Sequence, residues 1–497
     1  MSKKGLYAGI LPFLFLVAVG LIVGNAFAAP TLPASGDKQN VKLIGWSDLQ
    51  QRETLQVSTK GDWVYAGHHE GTHYNPLTDM EEINGTTIVN IADPAHPVIA
   101  AHIPGDIDRN PGCEANGRSA TVVYDLLGSG KDFLIRNHEC GSENDTRIYE
   151  IFDITHRGEG IDGIFKVGEI TGTPEASCTQ TREYPECGGT FKNNTHKGKW
   201  MQNGTFYGAA SEPGFRNGGH LVAFDLRRVV SDTDDDPRTN YNWAFLGRGW
   251  IEGQKETEAS VGSLNLHHPI VDEANDRVYA AYLSGGDVAA FDISMIPATG
   301  PDMRFPVTWH IDTNPPGSGT HTVSVLKYDV EDKVGTLANF NDSAFPRYYA
   351  LVSDESTNNE CSSAVRQKVY MMDATNAEDP GVGVPFNVET WEMPTVFNHV
   401  DYCEKGFRFG PHQFNETINS EYNTFEDKIA YFAYFNAGLR VVDISDPYIL
   451  EEVGYYVPNP TIPGDVIQAN DVDVDYRGLV YMSDRRGHGM WIFEFKK

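Results

Sequence analysis

The hydrophobic positions of this chain fall in short runs rather than helical stripes. One phrase recurs, an apolar pair followed by an acid or amide and then an apolar residue. It reads Ile88-Val89-Asn90-Ile91, Ile151-Phe152-Asp153-Ile154, Ala223-Phe224-Asp225-Leu226 and Ala290-Phe291-Asp292-Ile293. It continues as Met371-Met372-Asp373-Ala374, Val441-Val442-Asp443-Ile444 and Ile492-Phe493-Glu494-Phe495. Successive copies stand 51 to 81 residues apart, which marks a repeat array. Each copy follows an apolar-aromatic run such as Trp63-Val64-Tyr65-Ala66-Gly67 or Ala430-Tyr431-Phe432-Ala433-Tyr434. Runs of that composition bounded by Gly, Asn, Asp and Pro predict strands. No window sustains an apolar period near 3.6, so helices should be few.

A further run follows the phrase, as in Glu452 to Val457. Four strands in each of seven units predict an all-β fold, a seven-bladed β-propeller of four-stranded blades spanning residues 29–497 as a single domain. The seventh unit reaches Lys497 just after its third strand. Val41 to Trp46 repeats the pattern of a fourth strand, so an N-terminal strand is expected to complete the last blade and remove an open edge.

Ahead of that strand, Lys3 and Lys4 precede an apolar run from Leu6 to Val23 and an Ala26-Phe27-Ala28 site. This is the pattern of a secretory signal peptide over residues 1–28; the alternative is a retained membrane anchor, since the run approaches the length of a span. The expected setting is periplasmic or secreted, with no stable membrane insertion once the signal is cleaved. Six cysteines suit an oxidising compartment. Proximity suggests Cys113–Cys140, Cys178–Cys187 and Cys361–Cys403, and the lack of a C-x-x-C pair argues against a thiolate metal site. With 39 Lys+Arg against 69 Asp+Glu and a net charge of −30, nucleic acid is an unsuitable partner.

Asp443-Ile444-Ser445-Asp446-Pro447, preceded by Gly438-Leu439-Arg440-Val441-Val442, resembles the LVIVD repeat of bacterial and archaeal exported propellers. Ile88 to Pro97 is a second match, and Ala469 to Val474 running into Leu479 to Asp484 resembles the repeat's first half. Units 2 to 5 depart from the pattern. The resemblance implies a propeller and an exported setting, and no particular reaction.

Function is read from the histidines. The first strand of units 3 to 6 begins at Thr195-His196, Leu266-His267-His268-Pro269, Thr320-His321 and Pro411-His412, which places four imidazoles at one mouth of the central channel. The loops after the second strands lie on the same face and carry His68-His69-Glu70, His138-Glu139, Ser211-Glu212, Asp354-Glu355 and Asp484-Arg485-Arg486. Imidazoles with carboxylates behind them suit a transition-metal centre. His196, His267, His321 and His412 are therefore the expected ligands, and Glu70, Glu139, Glu212 and Glu355 the expected orienting or proton-handling groups. The metal expected is iron or copper, with zinc an alternative, and the activity an oxidoreduction of an unidentified small molecule. The layout is similar in architecture to carotenoid oxygenases, which hold iron on four His at a propeller axis; none of their sequence motifs is present. The competing function is a non-catalytic surface propeller whose same face binds a protein or glycan.

Lesser features remain. Arg118, Arg216, Arg485 and Arg486 also map to the mouth and either bind an anion or balance nearby acids. Asp232-Thr233-Asp234-Asp235-Asp236 has part of a calcium-loop spacing without the Gly and distal Glu of an EF-hand. Asp471, Asp473 and Asp475 alternate on one strand face, where unpartnered acids would call for a cation or water. No P-loop, G-x-S-x-G or H-E-x-x-H motif supports nucleotide or hydrolase chemistry.

Overall fold

In six of the seven phrases the polar residue folds its side chain back onto the chain. Oδ1 of Asn90, Asp153, Asp225, Asp292, Asp373 and Asp443 accepts the backbone N–H two residues on, at 2.8–3.0 Å. This is an Asx turn, and in five of the six it ends the third strand, while the strand holding Asp443 runs on to Asp446. The apolar residue after it fills the core: Ile91, Ile154, Leu226, Ile293, Ala374 and Ile444 are at most 2% exposed. The seventh copy has Glu494 instead, on the strand Met490–Phe495, whose outer neighbour comes from the other end of the chain, so no turn is needed there.

The computed structural model describes residues 32–69, 71–105, 116–138, 147–171, 197–201, 203–210, 214–216, 219–227, 244–262, 264–296, 304–313, 319–357, 361, 367–379, 381–416 and 427–496. These form seven antiparallel blades. Their innermost strands are Thr54–Lys60, Asn116–Val123, Gly198–Trp200, Leu266–Asp272, Thr320–Tyr328, Gln413–Phe414 and Ala469–Val474. The strand from blade 7 packs on the strand from blade 1, so the ring closes. One α-helix, Thr375–Glu378, occurs among the described residues.

Burial follows the ring. Each of the seven contacts between neighbouring blades has its own apolar cluster, for example Tyr65, Ile88, Val122 and Phe152 between blades 1 and 2, and Leu49, Val64, Tyr481 and Ile492 between blades 7 and 1. Apolar removal from water is thus distributed around the circle rather than gathered in one centre.

The expected closure is present. Val41–Ser47 pairs antiparallel with Met490–Phe495, from Val41 opposite Phe495 to Ser47 opposite Met490. A second device was not expected: Asp37–Gln39 adds a fifth strand to the edge of blade 6, against Ile449–Val457. One N-terminal segment therefore covers the edges of two adjacent blades. Cys361 and Cys403 form a disulfide that packs with Met393, Tyr402 and Tyr434. The other four cysteines, the signal segment 1–28 and the acidic stretch 232–236 lie outside the described residues. No helix among the described residues is long and apolar enough to cross a membrane.

Candidate metal centre at the channel mouth

Several innermost strands begin with a β-bulge. In blade 4 Leu266 pairs with Tyr282 and His268 with Ala281, so His267 is left out of the ladder. In blade 5 Thr320 pairs with Asp354 and Thr322 with Ser353, leaving out His321; in blade 1 the same shift leaves out Leu55. His412 directly precedes the first pair of blade 6, Gln413 with Ala433, and Asn470 falls in the corresponding shift of blade 7. A bulge re-aims the unpaired side chain. Repeat position thereby becomes position around the channel.

The imidazoles form a row. Ring centroids are 3.9 Å apart for His267 and His321, and 4.1 Å for His321 and His412. All three side chains are buried. Glu355 follows the strand Arg347–Asp354, and its backbone N–H is anchored on the Gly319 carbonyl at 2.8 Å. His267, His321 and Glu355 each offer a ligand atom within 4.8 Å of the other two. Glu355 was expected behind the imidazoles, and its carboxylate lies within reach of the same point as His267 and His321.

The surroundings set orientation and charge state. Arg408 donates to Glu355 Oε1 at 2.7 Å, and His412 Nε2 lies 3.7 Å from the same oxygen. His321 Nδ1 faces the Thr322 hydroxyl at 2.7 Å, and His412 Nδ1 meets the Asn470 carbonyl. That carbonyl accepts only, so Nδ1 carries the proton and Nε2 keeps its lone pair. Burial, then the Lys197 charge, holds the His412 pKa well below its ordinary value. The ring is neutral at pH 7, the form that binds metal.

A cavity of about 310 Å³ opens over this row. Every blade contributes to its wall: Leu55, Arg118, Lys197, His267, Glu355, His412 and Asn470 come from blades 1 to 7 in turn. A buried polar bridge lies beneath. Lys197 donates to Gln413 Oε1, Lys199 pairs with Glu416, and Gln413 Nε2 donates to Glu416 Oε1 at 2.9 Å. This bridge joins blade 3 to blade 6 across the ring. Breaking such a buried pair from one side costs about 3–5 kcal/mol.

His196, Glu70, Glu139 and Glu212 lie outside the described residues, as do the side chains of His138 and His268. His69 lines the cavity and bonds Glu53 at 3.2 Å. His68 turns away into its own blade: its ring nitrogens meet the hydroxyls of Thr54 and Thr87 at 3.1 and 2.7 Å. It is a structural histidine. Arg118 and Arg485 line the cavity, whereas Arg216 bonds the Gly253 carbonyl at 3.1 Å and Arg486 pairs with Asp465 at 2.7 Å. The alternating acids have partners and need no cation. Asp471 accepts from the Val57 amide at 2.9 Å, Asp473 from Thr59, and Asp475 from the Arg477 and Leu479 amides and Tyr481.

Sequence reasoning missed Lys197 and Arg408. Arg408 lies between blades in a stretch without repeat character. Lys197 carried a signal, a lysine beside His196 at the start of an inner strand where solvent is scarce.

The LVIVD repeat family matches residues 427–457, which span the second, third and fourth strands of blade 6. No curated protein matches the chain. Among solved structures, the WD40 β-propeller domain of Doa1 aligns over 93% of this chain and 97% of its own at 8% identity, with a TM-score of 0.43. The β-propeller domain of Myceliophteria thermophila Cps50 (Swd1) aligns over 89% and 96% at 9% identity and 0.45. Saccharomyces cerevisiae Sqt1 aligns over 93% and 100% at 9% and 0.45. Scores this low carry no functional weight, and the blade count rests on the hydrogen-bonded sheets. The chain is a seven-bladed β-propeller with an LVIVD repeat in its sixth blade.

Proposed function

We propose that the channel mouth is a mononuclear transition-metal centre in an exported propeller, and that the protein is a metal-dependent oxidoreductase acting on a small molecule. The observation that carries this reading is the convergence of His267, His321 and Glu355 from two neighbouring blades at a buried point. Two imidazoles and one carboxylate are the donor set of non-haem iron(II) oxygenases and equally of catalytic zinc sites, and of the two only iron performs oxidoreduction. An iron ion there would supply one-electron chemistry and open positions for small molecules. The chain's own residues supply the rest. Arg408 fixes the Glu355 carboxylate and Asn470 fixes the His412 tautomer. His412 stands ready as a further ligand, and His196, Glu70, Glu139 and Glu212 keep the ligand and proton-handling roles their repeat positions suggest. The export reading rests on the basic and apolar N-terminus, and a structural calcium at residues 232–236 on acid spacing alone.

Elemental analysis of tag-free protein after reconstitution tests this. The wild type is expected to hold about one ion per chain and His321→Ala far less. Wild-type content far below one per chain with iron, copper and zinc alike contradicts the metal centre and leaves the surface-binding propeller as the better reading.

A further inference from the structure

The cavity wall is cationic in a protein that is otherwise acidic. Arg118, Lys197, Arg408 and Arg485 all line it, although the chain has 39 Lys+Arg against 69 Asp+Glu. Three of these residues have partners of their own, Arg118 among them. Arg408 pairs with Glu355, and Lys197 bonds Gln413 with Asp471 and Glu416 nearby.

Arg485 differs. It follows the strand Val480–Asp484, and its backbone N–H is tied to the Gln468 carbonyl at 3.1 Å. Its guanidinium makes no hydrogen bond or ion pair with a described residue. Burial and then the Arg408 charge lower its pKa to about 10, with Glu355 and Glu53 pulling the other way. The neighbouring Arg486 shows what a merely balancing arginine looks like here, with Asp465 at 2.7 Å and the Phe407 ring beneath it. A guanidinium offers five N–H donors in a fixed fork. Leaving that fork unmet beside two other guanidiniums is costly unless an anion completes it.

We infer that the channel-mouth cavity is an oxyanion site, in which Arg485, with Arg118 and Lys197 alongside, receives the carboxylate or phosphate of a small organic ligand. The fork of Arg485 matches either group in a bidentate manner. A cavity of about 310 Å³ is at the small end for ligand pockets, so the ligand is compact and not a polymer. Arg118 and Arg485 come from blades 2 and 7 and the imidazoles from blades 4, 5 and 6, and Glu355 is near enough to act on the Arg485 charge. A ligand anchored by its anion would therefore lie beside the His267–His321–Glu355 cluster in the same cavity. The anion site stands with or without a metal there.

The test uses the full chain without a tag, stripped with chelator and titrated calorimetrically at constant ionic strength. The probes are oxalate, succinate, inorganic phosphate and glycerol phosphate, so that carboxylate and phosphate ligands are separated. At least one probe is expected to bind saturably. Arg485→Gln is expected to weaken it by about tenfold or more, and Arg485→Lys by less. Without anion, Arg485→Gln should melt at or above the wild-type temperature, because it relieves repulsion. Absence of saturable binding to the wild type, equal binding by Arg485→Gln, or a lower anion-free melting temperature of that variant overturns the inference. Metal content is read on separate reconstituted samples, so loss of the metal reading leaves this result intact and the reverse also holds.

Discussion

Asp473 and Thr59 lie at opposite ends of the chain and are bonded twice: Asp473 Oδ2 accepts from the Thr59 amide at 2.6 Å and from its hydroxyl at 2.9 Å. Asp471 makes the matching bond to the Val57 amide at 2.9 Å. The two-residue step is the same on both strands, so one face of each inner strand forms the seam between the last blade and the first. Asp473→Ala removes the acceptor of the buried Thr59 amide, while the Thr59 hydroxyl keeps the Val474 carbonyl at 3.0 Å, and should cost about 1–3 kcal/mol. Urea denaturation measures it, and a loss near zero would contradict the seam.

That seam also carries a pH signature. Burial pushes the Asp473 pKa up to about 8, with the Thr59 and Val474 amides pulling the other way. A carboxyl raised in the folded state stabilises fully below its unfolded value, 3.8, and loses that contribution as pH rises through the folded value. Asp473→Asn does not titrate. Between pH 5 and pH 8 its stability should fall less than that of the wild type, as read by denaturation at the two pH values. Equal slopes would contradict the assignment.

Val41–Ser47 covers the edge of blade 7, and Trp46 Nε1 donates to the His488 carbonyl at 3.0 Å. Asp37–Gln39 covers only a fifth position on blade 6. A chain starting at residue 40 should fold and melt slightly lower. A chain starting at residue 48 should expose an unpaired strand and aggregate. Light scattering after mild heating separates them, and equal behaviour would contradict the closure.

His68 and His321 look alike in the sequence and should behave oppositely. His68 is held between Thr54 and Thr87 inside blade 1, with Thr87 passing the chain on to His102 at 3.0 Å. His68→Ala should cost about 2–4 kcal/mol in stability and leave metal content unchanged. His321→Ala should lose the metal. Metal content and denaturation on both variants decide it, and loss of metal in His68→Ala would contradict the division.

The fold was legible because its signals are local. Each Asx turn needs an acid or amide at one spot, and each inter-blade core needs an apolar residue directly after it, so the phrase survives in blades 1 to 6. Closure by Val41 to Trp46 was legible for the same reason. Asp37–Gln39 was not, because three exposed polar residues on an outer edge bury nothing and leave no pattern. His267, His321 and His412 were legible because they share one repeat position, at a bulge in blades 4 and 5 and just before the first pair in blade 6. Glu355 was legible as a carboxylate near the imidazoles but its closeness to the point shared by His267 and His321 was not, since a residue just beyond a strand end has no alternation to fix its direction. The acids at 471 and 473 were misread as needing a cation, because their partners are backbone amides of blade 1, over 400 residues away. Arg408 was invisible, since it belongs to no repeat.

The most direct measurement is anomalous diffraction from crystals of the tag-free protein loaded with iron(II) under anaerobic conditions. A single peak is expected within about 2.0–2.3 Å of nitrogens of both His267 and His321 and of a Glu355 oxygen. No peak at the channel mouth, or one bound by residues that exclude both imidazoles, would contradict the metal centre.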